Sequence, residues 1–156
     1  MDENSPRCLD LLEGFLRALG YARSKSPAGQ ALEVAAGDGR VTRDLLAHYF
    51  GRIDCFDQDM GAVKKLEKLQ RRHADQIRKV DQCRMQAYCW DGAYDCIMVR
   101  WCSGYIADAE LVSFLGEARA HLAKGGAHII VLDNVTTEEH PIPPRQRPGD
   151  PDRAGL

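Results

Sequence analysis

The chain has 156 residues, of which 44% are hydrophobic and 28% are charged, and its formal net charge is −2. This length favours a single domain, and the nearly balanced charge gives no argument for binding to nucleic acid. No apolar run approaches the ~20 residues that span a bilayer, and the first residues do not read as a signal peptide. We therefore expect an intracellular, cytoplasmic protein with no membrane segment, and a nuclear location is also compatible with the sequence.

Apolar residues alternate between helical and strand periods along the chain. This β-α-β alternation predicts an α/β domain with a doubly wound, Rossmann-like parallel sheet, because crossovers between parallel strands are right-handed. We expect the strand order 3-2-1-4-5. The predicted helices cover 5–19, 40–50, 60–78 and 108–122, and the predicted strands cover 31–36, 52–57, a segment within 83–90, 94–100 and 127–132.

The end of the chain differs from the rest. Five of the seven prolines lie between Pro141 and Pro151. We expect a domain over residues 1–136 and a Pro-rich, disordered tail over 137–156. If this tail adds no strand, strand five is an apolar edge of the sheet, which invites a protein partner to pair with it.

The six cysteines stand at positions 8, 55, 83, 89, 96 and 102, and none of them forms a C-x-x-C pair. Several lie within apolar runs. This pattern indicates buried, reduced thiols rather than a metal site or a disulfide framework.

The segment 31–40 (ALEVAAGDGR) reads as a buried strand, a glycine-rich turn and the start of a helix. Asp57 follows at the end of the second strand, twenty positions after Gly37. This arrangement is typical of doubly wound domains that bind a nucleoside-bearing cofactor, with the acid accepting hydrogen bonds from ribose hydroxyls.

Two features of the turn bear on the choice of cofactor. A dinucleotide-binding turn reads G-x-G-x-x-G, but the third glycine position here is Thr42, and Asp38 would stand beside a phosphate. S-adenosylmethionine is a cation without phosphates, and Glu33 adds a further acid near the turn. The residues therefore favour a methyl donor over a dinucleotide. A purely structural glycine turn remains the alternative.

Three blocks of the chain resemble the family of protein α-N-terminal methyltransferases, which methylate the free amino end of proteins beginning X-Pro-Lys. Residues 32–40 are similar to the family's L-D-x-G-A-G-I-G-R, and residues 94–105 (YDCIMVRWCSGY) are similar to Y-D-V-I-W-I-Q-W-V-I-G-H. Residues 122–134 resemble L-x-P-x-G followed by strand five and a closing D-N. The resemblance spans roughly residues 5–137 and implies a class I S-adenosylmethionine-dependent fold.

The resemblance also implies roles for individual residues. The methionine part of the donor would be held by the turn, the ribose by Asp57, and the adenine would lie near Gln86 and Ala87. Trp101 and Asn134 would line the slot for the incoming amino terminus, with Asn134 orienting the amine. The turn residues concerned are Gly37, Gly39 and Arg40. Structural alternatives stay open at this point, with Trp101 as a core aromatic, Asn134 as a turn residue and Arg40 as a surface residue.

Three positions depart from the family pattern. Ala35 replaces the first glycine of the turn, so this loop is less open. Arg100 replaces the family's Gln among the donor-binding residues, and its fixed charge would repel a sulfonium unless Glu33, Asp57 or another acid offsets it. Tyr105 replaces a histidine that helps to deprotonate the amine, and a phenol is a poor base near neutral pH.

The ends of the chain also differ from the family, whose members carry a segment before the first helix and two further strands after the D-N block. Three hypotheses follow. The chain is an active methyltransferase acting on a protein amino terminus, or a catalytically impaired methyltransferase-like scaffold that binds a partner at strand five, or a small-molecule methyltransferase of the same fold.

Overall fold

The computed structural model of the protein describes residues 6–133. The Pro-rich segment and the proposed role of Asn134 lie outside the described residues. Within them the chain forms four α-helices and five strands, joined in part by short 3-10 turns. The helices are α1 (Pro6–Ala18), α2 (Arg40–Asp44), α3 (Met60–Arg72) and α4 (Asp108–Ala120), and the strands are β1 (Gln30–Val34), β2 (Arg52–Asp57), β3 (Ile77–Gln82), β4 (Cys96–Arg100) and β5 (His128–Leu132).

All five strands are parallel and form one sheet in the order β3-β2-β1-β4-β5. The predicted fold class and strand order are therefore confirmed. β1 lies at the centre, where Leu32 stands opposite Asp54 of β2 on one side and Ile97 of β4 on the other. The carboxyl ends of β1, β2 and β4 meet at one edge of the sheet, where doubly wound domains place their ligands.

Each face of the sheet buries its own apolar cluster, because successive side chains of a strand point to opposite faces. On one face α1 and α2 pack against β4 and β5, with Leu12 and Leu16 of α1 fully buried near Met98. On the other face α4 covers the sheet through Phe114 and Ala118. None of the helices within residues 6–133 has the length and apolar composition that a membrane span requires.

The prediction for strand three was wrong. The predicted helix over 60–78 ends at Arg72, and the strand lies at Ile77–Gln82 rather than within 83–90, where the chain forms a 3-10 turn over Met85–Ala87. The reason is a register shift: Ile77 stands opposite Ile53, whereas Lys79 stands opposite the next residue, Asp54. The extra residue brings Ile77 and Val80 to the same face, against α3. This breaks the alternation that marks a strand in the sequence.

The predicted helix over 40–50 is also shorter than expected. α2 stops at Asp44, and Leu45 leaves helical geometry with φ −127° and ψ −68° before a 3-10 turn at Leu46–His48. Leu45, Leu46 and Phe50 are nevertheless fully buried. The apolar pattern therefore marked the right core residues, and the backbone bends to bury them. The remaining elements agree with the prediction to within about two residues, an ordinary uncertainty at element ends.

A buried carboxylate ties β2 to the loop before β4. Asp54 is fully buried, and it accepts hydrogen bonds from the hydroxyl of Tyr94 at 2.8 Å and from Nε of Arg78 at 2.8 Å. The Tyr94 hydroxyl also lies 2.8 Å from that of Tyr88. This network fixes the segment after β3, which contains Gln86, relative to the centre of the sheet.

Candidate active site

A cavity of about 990 Å³ opens at the carboxyl ends of β1, β2 and β4. Its volume is at the upper end of the range for pockets that bind small molecules. Most of the residues predicted from the sequence line it, whereas Gly39 and Ala87 do not, and Asn134 lies outside the described residues. The predicted residues that line the cavity are Gly37, Arg40, Asp57, Gln86, Arg100, Trp101 and Tyr105.

The glycine turn follows β1 and has a left-handed backbone at two glycines. Gly37 has φ 60° and Gly39, which precedes the first residue of α2, has φ 76°. A Cβ on Gly39 would lie 2.8 Å from side-chain carbons of Leu66 and Leu69. Gly39 therefore permits close packing of the turn against α3, which is a different role from the predicted contact with a ligand. No atom lies within 4 Å of a Cβ built on Gly37, which faces open space at the cavity.

Asp57 joins the ends of β1 and β2 through its side chain. One carboxylate oxygen accepts a hydrogen bond from the backbone N–H of Gly37 at 2.9 Å, and the other accepts one from the backbone N–H of Asp59 at 2.9 Å. The residue is 9% exposed and lines the cavity. Because each carboxylate oxygen has two lone pairs, one on each oxygen stays available to a ribose hydroxyl.

Two residues other than glycine also have a left-handed backbone, one directly after β1 and one directly after β4. Ala35 follows β1 with φ 53°, and Trp101 follows β4 with φ 51°. This conformation is uncommon for residues other than glycine, and it concentrates at functional sites where the surrounding fold imposes it. Both residues line the cavity.

Glu33 lies in β1, just behind the turn, and is 1% exposed. One of its oxygens accepts a hydrogen bond from the hydroxyl of Thr42, and the other has no hydrogen-bond partner. Burial raises the pKa of Glu33 to about 7, although the Thr42 hydrogen bond and the charge of Arg100 act in the opposite direction. The carboxyl group is therefore partly protonated at neutral pH.

Arg100 and Trp101 form the wall of the cavity at the end of β4. The guanidinium carbon of Arg100 lies 4.7 Å from the centre of the Trp101 ring, an arrangement that stabilises a cation on the aromatic face. The Nε atom of Arg100 is buried and has no hydrogen-bond partner.

The loop after β4 is anchored to the end of β5. The backbone N–H of Trp101 donates to the carbonyl of Leu132 at 2.9 Å. The carboxylate of Asp133 accepts hydrogen bonds from the Ser103 hydroxyl and from the Ser103 backbone N–H, the latter at 2.9 Å. These bonds hold the turn that carries Tyr105, whose side chain is 67% exposed at the rim of the cavity.

Parts of the cavity wall come from distant helices and were not predicted from the sequence. Cys8 and Leu9 of α1 line the cavity, as do Lys65 of α3 and Glu110 of α4. No local motif marks these residues, because only helix packing brings them to the site. The anchoring role of Ser103 was not predicted either, although this residue lies within the block 94–105 that resembles the family.

Four of the six cysteines are buried, Cys83 is partly exposed and Cys89 is exposed, and all six are free thiols. In the part of the chain that the structure describes, no three His, Cys, Asp or Glu side chains come together in a way that could hold a metal ion.

The fold is that of Rossmann-like S-adenosylmethionine-dependent methyltransferases. A methyltransferase of this kind from Leishmania major superposes with a TM-score of 0.69 at 20% identity, covering 80% of this chain and 48% of its own. Another, from Clostridium acetobutylicum, gives a TM-score of 0.68 at 17% identity, covering 83% of this chain and 50% of its own.

The chain belongs to the family described as AdoMet dependent proline di-methyltransferase, which matches residues 9–143. It is 30% identical over 139 residues to N-terminal Xaa-Pro-Lys N-methyltransferase 1 of Bos taurus, covering 88% of this chain and 60% of the relative. It is 32% identical over 109 residues to Alpha N-terminal protein methyltransferase 1 of Caenorhabditis elegans, covering 70% and 46%. The chain thus spans about half the length of the curated relatives it matches. The family resemblance seen in the sequence is confirmed, and the cofactor of the family is the predicted one, S-adenosylmethionine.

Proposed function

We propose that this chain is an S-adenosylmethionine-dependent methyltransferase that acts on the α-amino group of a protein amino terminus. The observation that carries the proposal is the cavity at the ends of β1, β2 and β4, into which Gly37, Asp57 and Trp101 face together. The bovine relative is named as a methyltransferase of N-terminal Xaa-Pro-Lys sequences and the C. elegans relative as one of protein amino termini, and this supports the choice of substrate.

The residues of the cavity fit the donor at both of its ends. Asp57 keeps free lone pairs for ribose hydroxyls, and the open space beside Gly37 leaves room for a ligand against the backbone. Gln86 lies in the 3-10 turn after β3, on the side where the adenine would be bound, and Arg40 and Arg100 would supply positive charge for the carboxylate of the methionine part. When bound, S-adenosylmethionine supplies a methyl group on a sulfonium sulfur.

The acceptor amine would enter beside Trp101. This residue lies between Arg100, which faces the cavity, and the anchored turn with Tyr105 at its rim. The contribution of the protein is mainly to position the amine, since orientation alone lowers the barrier strongly. An α-amino group has an ordinary pKa near 7.7–8.0, so part of it is neutral at pH 7 and the exposed Tyr105 does not need to act as a strong base. Asn134 follows the anchored Asp133 in the chain, and its role in orienting the amine stays a prediction.

The hypothesis of a scaffold without activity is not favoured, because the family is one of methyltransferases. Contact with a protein partner at β5 remains part of our proposal. Among the described residues no strand pairs with the outer edge of β5, and Val131 is 49% exposed there. An intracellular, cytoplasmic location also stays a prediction.

The test of the function is a titration of the protein with S-adenosylmethionine by calorimetry, followed by transfer of radiolabelled methyl to a peptide beginning Xaa-Pro-Lys. The matched control is the same peptide with an acetylated amino terminus. We expect donor binding, and transfer to the free peptide only. Equal labelling of both peptides would show that a group other than the α-amino group is methylated. Donor binding without any methyl transfer would contradict the proposed activity.

A further inference from the structure

Two buried polar atoms lack a hydrogen-bond partner among the described residues. One belongs to a residue of β1 just behind the glycine turn, and the other belongs to a residue that lines the cavity. One is Oε1 of Glu33 and the other is Nε of Arg100. They belong to neighbouring strands, because β1 pairs with β4 and Glu33 stands opposite Met98. Arg100 is two residues further along β4, so its side chain points to the same face of the sheet as that of Glu33. The two side chains are therefore close neighbours, but Oε1 of Glu33 and Nε of Arg100 do not form a hydrogen bond with each other.

Arg100 brings an uncompensated charge to the cavity. It forms no ion pair with any acid in the described part of the chain, and its guanidinium group rests on the Trp101 ring. Glu33 lies on the same face of the sheet, and the charge of Arg100 acts to lower the pKa of its carboxyl group. A fixed cation in a partly buried wall affects any charged ligand that enters beside it, because burial weakens screening by water.

We propose that Arg100 sets the preference of this cavity between the cationic donor and its neutral product, S-adenosylhomocysteine, and that Glu33 is the counter-charge that offsets it. The inference rests on the proposed donor site. A ligand whose ribose was held by Asp57 at β2, and which crossed the end of β1, would bring its sulfur toward β4. Neighbouring strands are about 4.8 Å apart, so this distance is within the span of the ligand.

Donor and product share the adenosine, the carboxylate and the ammonium group, and they differ in the methyl group and the charge on sulfur. A contact between Arg100 and the carboxylate therefore helps both ligands equally. The repulsion between Arg100 and the sulfonium acts on the donor alone. For charges some 6–7 Å apart at the effective dielectric constant of a protein surface, the unscreened repulsion corresponds to a change in relative affinity of roughly 50- to 100-fold. Screening by salt over a Debye length of about 10 Å lowers this to about tenfold.

Glu33 makes this preference depend on pH. The groups that face it are Asp38 of the turn, Thr42 of α2, Cys55 of β2 and Arg100 of β4. Burial raises the pKa of Cys55, so the thiol stays neutral, and Thr42 carries no charge. Below about pH 7 Glu33 is mostly protonated and Arg100 is uncompensated, whereas above it the carboxylate offsets the guanidinium. The affinity for the donor, relative to the affinity for the product, should therefore increase as the pH rises.

The test measures the dissociation constants of S-adenosylmethionine and S-adenosylhomocysteine by calorimetry, and uses their ratio. We expect Arg100→Gln to shift the ratio toward the donor by about tenfold, and Arg100→Lys, which keeps the charge, to shift it less. Lys65→Gln is the matched control, since Lys65 lines the cavity from α3 but is exposed and screened. It should leave the ratio within about twofold.

The same ratio, measured between about pH 6 and about pH 8, tests Glu33. In the wild type the ratio should shift in favour of the donor as the pH rises. In Glu33→Gln the part of this shift that comes from titration of Glu33 should be absent. This comparison cancels titration of the ligands' own amino groups. Circular dichroism establishes that each variant is folded. If Arg100→Gln changed both affinities equally, the inference would be overturned while the donor site stood. If the wild type bound neither ligand, the proposed function itself would fail.

Discussion

The carboxylate of Asp57 accepts a hydrogen bond from the backbone N–H of Gly37 at 2.9 Å, across the ends of two neighbouring strands. This bond determines the shape of the cavity, because it holds the glycine turn against the acid that faces the ligand. The sequence predicted that the two residues would face one another, and the structure joins them by a direct hydrogen bond.

Replacing Asp57 should weaken binding of the donor. We expect Asp57→Ala to lower the affinity for S-adenosylmethionine by roughly 10- to 100-fold, because a hydrogen bond to a charged group contributes about 1.5–3 kcal/mol. Calorimetry measures the change. Asp10→Ala is the control, since Asp10 is an exposed carboxylate on α1 that does not line the cavity. An unchanged affinity in Asp57→Ala would rule out this residue as a ligand contact.

The bonds between Asp133 and Ser103 should stabilise the loop after β4. We expect Ser103→Ala to lower the free energy of unfolding by about 1 kcal/mol, since it removes the hydroxyl and keeps the backbone bond. Asp133→Ala removes the oxygen that accepts both hydrogen bonds and should be more damaging. Ser113→Ala, on the exposed face of α4, provides the comparison. Denaturation by urea gives the values, and equal effects of the two serine substitutions would contradict the anchoring role.

Ala35→Gly should stabilise the protein slightly. Ala35 has φ 53°, a conformation that glycine adopts without strain. The strain of a left-handed residue is about 1–2 kcal/mol, and the added freedom of glycine in the unfolded chain offsets roughly half of it. The buried Ala31 of β1 is the matched site, where Ala31→Gly should destabilise. Chemical denaturation that gave both substitutions the same sign would refute the argument from strain.

The protonation of Glu33 should make stability depend on pH. Burial raises its pKa in the folded protein to about 7 from an ordinary 4.5, so the folded state binds the proton more tightly than the unfolded state. The resulting stabilisation is complete below pH 4.5 and is lost as the pH rises toward 7. Its full size is about 3 kcal/mol. We expect Glu33→Gln to flatten this decline in unfolding experiments across the range, whereas Glu110→Gln, an exposed site, should retain it.

The proposed partner surface at β5 should show itself in the isolated protein as self-association. An apolar strand edge without a partner tends to pair with another chain. We expect Val131→Lys to reduce the association seen by light scattering, and Val112→Lys, which alters a 69% exposed valine on α4, to leave it unchanged. A wild-type protein that stays monomeric at high concentration would speak against this surface.

Local patterns in the sequence were sufficient to predict most of the framework. The apolar runs of β1, β2, β4 and β5 and the glycine turn indicated the parallel sheet and its order. Asp57 could be selected because the carboxyl ends of parallel strands meet at one edge, so an acid that ends the second strand faces the turn that ends the first.

Other features depend on contacts between distant segments, and only the tertiary structure decided them. β3 was misplaced because its register shift hides the strand period, which pairing with β2 alone reveals. Cys8 reaches the cavity through the packing of α1. The charge relation of Glu33 and Arg100 follows from the pairing of β1 with β4, and burial, which raises the pKa of Glu33, is a property of the folded core. A sequence records the order of residues, whereas register and burial depend on which segments meet.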